Sequence, residues 1–332
     1  MRSKRREIAA FLAALLLFLC LSWGMGALLR PVREGYGSMW QAYRREPRES
    51  LDVLFFGSSL VYCDVAPAWL WAESGLRSYV MAGPEQTIPI TYYYIREACR
   101  TQSPRLVMLE ATGMFYEKYQ NYTRANIDYM PLSANRLAAT FTAAERELVP
   151  DLLYPLFSYH DLWNTISRAD IQKKLAPAAD PLAGYTFLSE ACPPPDYAER
   201  AEFTADSDTY RENLRWLEKI RDFCAQQDTE LLLYIAPSAG RIPAAAMETL
   251  RADVSALGLT LTDLNEALPE LGIDDTRDWY DFLHFNARGA EKFSRWLGAD
   301  LAETQDLTPA AGEDAVWTER LAYLEKLAGE AA

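Results

Sequence analysis

The sequence predicts a three-layer α/β protein built on a parallel sheet, with a membrane anchor ahead of it. Three observations carry this. Short apolar runs that stop at glycine or polar residues alternate with longer helix-like stretches, the rhythm of strands joined by crossover helices. An uncharged run precedes them all. A Tyr-, Pro- and Asp-rich stretch over 113–205 breaks the rhythm once and reads as an inserted, mostly helical cap.

The uncharged run is residues 8–29, IAAFLAALLLFLCLSWGMGALL. At ~1.5 Å per residue it spans roughly 33 Å, enough for a hydrocarbon core. A cleaved signal peptide would carry a shorter apolar region and a small-x-small exit, which only Gly24-Met25-Gly26 imitates. Arg2, Lys4, Arg5 and Arg6 place the N-terminus in the cytoplasm and the rest outside, a single-pass topology. The expected division is a cytoplasmic tip and anchor over 1–33, a polar juxtamembrane stem over 34–50, the main domain over 51–302 and a tail over 303–332.

Within the main domain, Leu51-Asp52-Val53-Leu54-Phe55-Phe56 reads as a buried strand broken by Gly57. A helical turn starts after Pro67. Ser78-Tyr79-Val80-Met81 is a second strand ending at Gly83, residues 86–102 are helical, and Arg105 to Glu110 is a third strand. After the insertion, 208–227 is a helix with Leu214, Leu217 and Ile220 on one face. Glu230 to Ala236 is a fourth strand, 243–257 a helix, Leu259 to Leu264 a fifth strand, and a last core helix runs from Ala287 to about Leu301. The tail holds a polar linker and an amphipathic helix with Val316, Leu321, Leu324 and Leu327.

Composition excludes several classes. A chain that is 50% hydrophobic and 24% charged, with 16 Gly and 18 Pro, is neither collagen-like nor disordered. The net charge of −14 is uneven: six cationic side chains against Glu7 leave residues 1–33 at +5, so the remainder carries −19. That field repels polyphosphate, so nucleic acid is not an expected partner. Cys63, Cys99, Cys192 and Cys224 fall outside the anchor, where disulfides are permitted, yet none has metal-ligand spacing; they read as small buried residues. With two histidines in the chain, a zinc site is not expected, and no cofactor is implied.

Three places look like chemistry. Gly57-Ser58-Ser59-Leu60 comes after the first strand, at the edge where parallel sheets bind ligands. A serine there is exposed at the start of the next helix, although either serine would also serve as that helix's cap. A serine becomes a nucleophile only beside a base, and the base needs an orienting carboxylate. Asp281-Phe282-Leu283-His284, just before the last helix, sets such a pair three residues apart, so a tight turn joins them. The other histidine, His160, lies in the insertion among Tyr159 and Trp163. The third place is Gly83, at the end of the second strand.

Together these segments resemble the SGNH/GDSL hydrolase superfamily. The Gly-x-Ser-Leu of its first block stands as Gly57-Ser58-Ser59-Leu60, and the Asp-x-x-His of its last block as Asp281-Phe282-Leu283-His284. The resemblance implies a three-layer flavodoxin-like fold, Ser59 as nucleophile, His284 as base and Asp281 as orienting acid. It also implies an oxyanion hole made by the N–H groups of Ser59 and Gly83. Its third block carries an asparagine after the third strand, where this chain has Leu109-Glu110-Ala111-Thr112-Gly113; Thr112 or a backbone N–H substitutes there, or the hole is weaker, and Glu110 reads as a structural hydrogen-bonder. The anchor and the large insertion are similar to membrane-tethered members of cell-envelope modification, of the lipoteichoic-acid D-alanylation and alginate O-acetylation type. That likeness implies acyl-ester chemistry on an envelope polysaccharide or glycolipid, beside a membrane-bound O-acyltransferase partner. Hydrolysis and transfer both remain open, as do a non-catalytic scaffold and a glycan-binding surface formed by Tyr116, Tyr119, Tyr122, Tyr129 and Trp163.

Overall fold

Five strands form one parallel sheet: β1 (Val53–Phe56), β2 (Ser78–Val80), β3 (Leu106–Glu110), β4 (Glu230–Ile235) and β5 (Leu261–Asp263), in the order β2-β1-β3-β4-β5. This is a computed structural model, and it describes residues 2–32, 40–192, 196–305, 307–309 and 314–331. Val53 lies opposite Ser78 on one side and Leu106 on the other, which places β1 inside the sheet. Its four residues are all fully buried. That explains the unbroken apolar run in the sequence, since a parallel sheet is covered on both faces.

Alternation along β1 divides the core. Leu54 and Phe56 join a cluster with Tyr94, Leu217, Ile220 and Leu250, while Val53 and Phe55 join one with Trp69, Leu70, Phe293 and Leu297. The helices that frame the sheet and the site are α1 (Arg2–Leu29), α2 (Ser59–Tyr62), α3 (Pro67–Ser74), α4 (Ile88–Ala98), α5 (Asp208–Gln226), α6 (Ala244–Ala256), α7 (Ala287–Thr304) and α8 (Ala315–Ala331). Helices α4, α5 and α6 cover the first face, and α3 and α7 the second, so the body is a three-layer α/β sandwich. Pro67 opens α3 at its first turn, where its missing N–H has no partner to lose.

Helix α1 is the one described helix long and apolar enough to cross a membrane, and its side chains from Lys4 to Leu21 are all exposed. The insertion is mainly helical over its first two thirds, with helices at Gln120–Ile127, Ala134–Thr142, Val149–Leu153, Leu156–Tyr159 and Arg168–Leu175. It then returns along the sheet edge, where Val80 donates its N–H to Ala183 O at 2.9 Å and Thr186 donates to Tyr62 O at 2.6 Å. An otherwise open edge strand is thereby covered.

Two stretches depart from the expected division. Residues 34–39 of the expected stem lie outside the described residues, but 40–50 are packed into the body. Trp40 and Tyr43 are in the core, and Tyr43 donates its hydroxyl to Ala98 O at 3.1 Å. The stretch reads as polar because Arg44, Arg45, Glu46, Arg48 and Glu49 follow directly on these aromatics, which find a groove beside α4. In the tail, 306 and 310–313 lie outside the described residues, and α8 docks on the body. Trp317 stacks on Trp71 with ring centroids 6.3 Å apart, and Arg320 pairs with Glu46 at 2.5 Å, both side chains buried. Val316, expected on the buried face, is exposed, while Leu324 is buried.

Candidate active site

The edge that carries the candidate site begins with Gly57, whose φ of +148° suits glycine alone. A Cβ there would stand 2.7 Å from Glu110 Cβ and 2.8 Å from Val61 Cγ2, so the turn from β1 into α2 has no room for a side chain. The two serines then divide the work. Ser58 is buried and caps α2, its Oγ accepting the Leu60 N–H at 3.4 Å and meeting Tyr116 Oη at 3.4 Å. Ser59 is the first residue of the helix, and its Oγ lies 2.7 Å from His284 Nε2.

The loop between Asp278 and Asn286 delivers that imidazole. Its ends are joined by the Trp279–Phe285 bridge and by Tyr280 N–H donating to His284 O at 2.9 Å, which folds 281–284 into a tight turn. Asp281 accepts the N–H groups of Leu283 at 2.7 Å and His284 at 2.8 Å, and its two oxygens lie 3.0 and 2.9 Å from His284 Nδ1. Burial pushes the Asp281 carboxyl up, but the hydrogen bond and charge of His284 and the two N–H donors outweigh it, and the net pKa is lowered. An ionised carboxylate only accepts, so the Nδ1 proton faces Asp281, and Nε2 is left to accept the serine proton. Ser59 and the local pair Asp281 and His284, more than two hundred residues further on, thus form one hydrogen-bonded chain at the C-terminal edge of β1. The strand order reverses on either side of β1, where open α/β sheets place their ligands.

The donors expected for an oxyanion are less uniform. Ser59 N heads α2, where a backbone N–H has no partner one turn earlier. Gly83 lies beside it, with its N–H donated to Gly57 O at a long 3.3 Å. Thr112 is different. Its N–H donates to Glu110 Oε1 at 2.9 Å and its hydroxyl to the same oxygen at 2.5 Å, so both donors are turned to the carboxylate and the expected oxyanion role is corrected. A fully buried acid at the end of β3 draws the nearest donors. Burial pushes the Glu110 carboxyl up to about 7 even against these Thr112 hydrogen bonds. His160 stands exposed on the insertion, its Nδ1 3.3 Å from Phe157 O, and has no part in the Ser59 chain.

Three further residues shape the edge without having been singled out in the sequence. Asp64, fully buried at the end of the α2 turn, accepts the Phe285 N–H at 2.9 Å and so holds the residue next to His284. Burial pushes its carboxyl well up, against that N–H. A lone acid in the apolar run Leu60–Ala66 was the available signal. Asn126, buried on the insertion, lies against Gly83 and donates Nδ2 to Pro84 O at 3.0 Å. It steadies the turn Gly83–Gln86, in which Glu85 takes an unusual φ of +38°. Arg200, at the insertion's far end, lies close to Gly240 and stacks its guanidinium 4.4 Å above Phe203. Nothing in the sequence announces that Asn126 meets Gly83 or that Arg200 meets Gly240.

The aromatics of the alternative glycan-binding surface have different surroundings. Tyr116 is buried beside Ser58 and Tyr129 donates its hydroxyl to Pro31 O, while Tyr119 and Tyr122 pack edge to face, 5.2 Å apart. A cavity of about 500 Å³ lies away from the triad, between the end of α1, Trp40, Lys174 and Pro181. All five cysteines are free, Cys63 and Cys224 buried, and no group of metal-ligating side chains occurs among the described residues. No family model and no curated protein matches the chain.

Proposed function

We propose that the chain is a membrane-anchored, extracytoplasmic serine enzyme of the SGNH type, moving an O-acyl group to or from envelope carbohydrate through an acyl-serine intermediate. The observation that carries the proposal is the Ser59–His284–Asp281 chain, with 2.7 Å from Oγ to Nε2. The strand order β2-β1-β3-β4-β5 is that of flavodoxin-like doubly wound sheets and supports the superfamily reading. Four cationic residues ahead of the apolar run of α1 support a cytoplasmic N-terminus.

In this reading His284 Nε2 takes the Ser59 proton as Oγ attacks the ester carbonyl. Asp281 holds the imidazole in register and stabilises the imidazolium. The Ser59 N–H faces the developing oxyanion, and the Gly83 N–H exchanges its long bond to Gly57 O for the same charge. Each such donor contributes about 3 kcal/mol to acyl transfer. His284 then returns the proton to the leaving alcohol as the ester bond breaks. It next takes the proton of the acceptor, a sugar hydroxyl or water, whose oxygen bonds the acyl carbon, and returns that proton to Ser59 Oγ as the acyl–Oγ bond breaks.

The Asp281 side chain is 37% exposed, so solvent reaches the triad, and this favours a second reading as a carbohydrate esterase. One experiment separates the readings. A fluorophosphonate probe should label the wild-type chain and neither Ser59→Ala nor His284→Ala; equal labelling of all three removes the enzyme reading. Incubation with an activated acyl ester and an oligosaccharide should then give acylated sugar in a Ser59-dependent way, whereas free acid at every acceptor concentration leaves the esterase.

A further inference from the structure

Helix α1 does not stand free of the body. Its last two turns are clasped by the insertion. Trp23 Nε1 donates to Leu153 O at 3.1 Å, and the Tyr154 hydroxyl bonds Ser22 Oγ. Gly26 meets the backbone of Leu156 so closely that a Cβ would overlap its nitrogen. One turn on, Lys174 Nζ donates to the carbonyls of Leu28 and Arg30, the end groups that a helix leaves open. Arg30 in turn donates to Asp128 O, and Tyr129 donates to Pro31 O at 3.1 Å.

The contact residues Ser22, Trp23 and Gly26 precede the end of α1. At ~1.5 Å per residue they sit roughly 4–10 Å inside it. If α1 spans a bilayer, the segment that touches them lies at the depth where headgroups meet acyl chains. That segment presents large apolar side chains outward. Phe157 is 59% exposed, Trp163 71% and Leu153 39%. None packs into the core, and aromatic residues are the type that collects at membrane interfaces. Charge points the same way. Residues 149–175 carry three acids and three bases, so this face is neutral on a body that is otherwise strongly acidic.

We propose that residues 149–175 are an interfacial foot that seats on the leaflet from which α1 emerges, with Phe157 and Trp163 entering the lipid; this rests on reading α1 as a membrane span. The partner is a lipid surface, and Trp163 serves it rather than a glycan. The foot fixes the catalytic edge relative to the bilayer. Arg30 is bonded to Asp128, and two residues earlier Asn126 rests on Gly83, beside Ser59. The domain is therefore held in one orientation, where a flexible stem would let it swing, and its substrates are groups carried close to the membrane surface.

The test uses the full chain in liposomes of phospholipid with or without bromine on the acyl chains, a short-range quencher of tryptophan. The emission lost in Trp163→Phe isolates Trp163, and the emission lost in Trp23→Phe isolates the anchor. Both components quenched by brominated lipid, with Trp163 blue-shifted, supports the foot. Trp23 quenched with Trp163 emitting as in water overturns the foot and leaves the anchor standing. Neither quenched overturns the membrane reading and the foot with it. Phe157→Cys carrying an environment-sensitive dye, in a chain whose accessible Cys20, Cys99 and Cys192 are replaced by serine, repeats the measurement independently of tryptophan and must agree.

Discussion

Glu110 gives a pH dependence of stability with a sign and a size. Its ordinary value is 4.5, and full burial at the end of β3 raises it to about 7. As pH rises, the unfolded chain releases this proton first, near 4.5, while the folded chain keeps it until about 7. Between those values the folded state binds more protons, so stability is full below the window and falls as pH climbs through it. At ~1.4 kcal/mol per pH unit, crossing the window costs about 3 kcal/mol. Glu110→Gln keeps an acceptor oxygen for the Thr112 N–H and hydroxyl but carries no proton to lose. Denaturant unfolding of the full chain in detergent, followed by tryptophan fluorescence from pH 4.5 to 8, measures both proteins. The wild type should lose about 3 kcal/mol relative to Glu110→Gln across the series. Asp64, also raised by burial, is present in both proteins, but the charge of Glu110 is one of the groups that raise it, so the difference between the two curves reports Glu110 together with that coupling. Asp281 is lowered, so its contribution is lost only as pH falls through its folded value, below the ordinary 3.8 and outside this window. Two curves that stay parallel over the whole range would refute the reasoning.

Gly57→Ala should destabilise by roughly 2–4 kcal/mol through strained φ and overlap with Glu110 and Val61. Gly258→Ala, with φ of +73° but open space around it, should cost only about 1 kcal/mol, both variants being measured by denaturant unfolding. Asp64→Ala leaves the Phe285 N–H unpaired, so about 1–3 kcal/mol should be lost and fluorophosphonate labelling should slow. Asp64→Asn, which keeps the acceptor, should restore both, and failure to rescue labelling would show that Asp64 does not position His284. Arg320→Ala strands buried Glu46 and should cost about 3–5 kcal/mol. The pair Arg320→Met with Glu46→Leu should recover most of that by denaturant unfolding, and no recovery would remove the ion-pair account.

The sheet was legible because each strand is a local pattern. A strand buried on both faces must be apolar throughout, so β1, β3 and β4 stood out, and glycine marked the turn at Gly57. The geometry of Asp281 and His284 was legible for a similar reason: three residues in a tight turn are local. Which serine caps and which faces the imidazole depends on how α2 leaves β1, and that is set by contact with Glu110 and Val61, residues remote in sequence from His284. Burial is a tertiary quantity as well. Trp40 and Tyr43 looked like part of a polar stem because charge surrounds them in sequence, and only the groove beside α4 takes them inside. Thr112 looked like a free donor until the fold placed Glu110 in a dry environment with nothing better to bind. Asp64 and Asn126 come to the neighbours of the serine, Phe285 and Gly83, from two separate elements. The clasp between the insertion and α1 joins residues more than a hundred positions apart. Periodicity reports what a segment buries, and the order of the chain carries no record of what that segment is buried against.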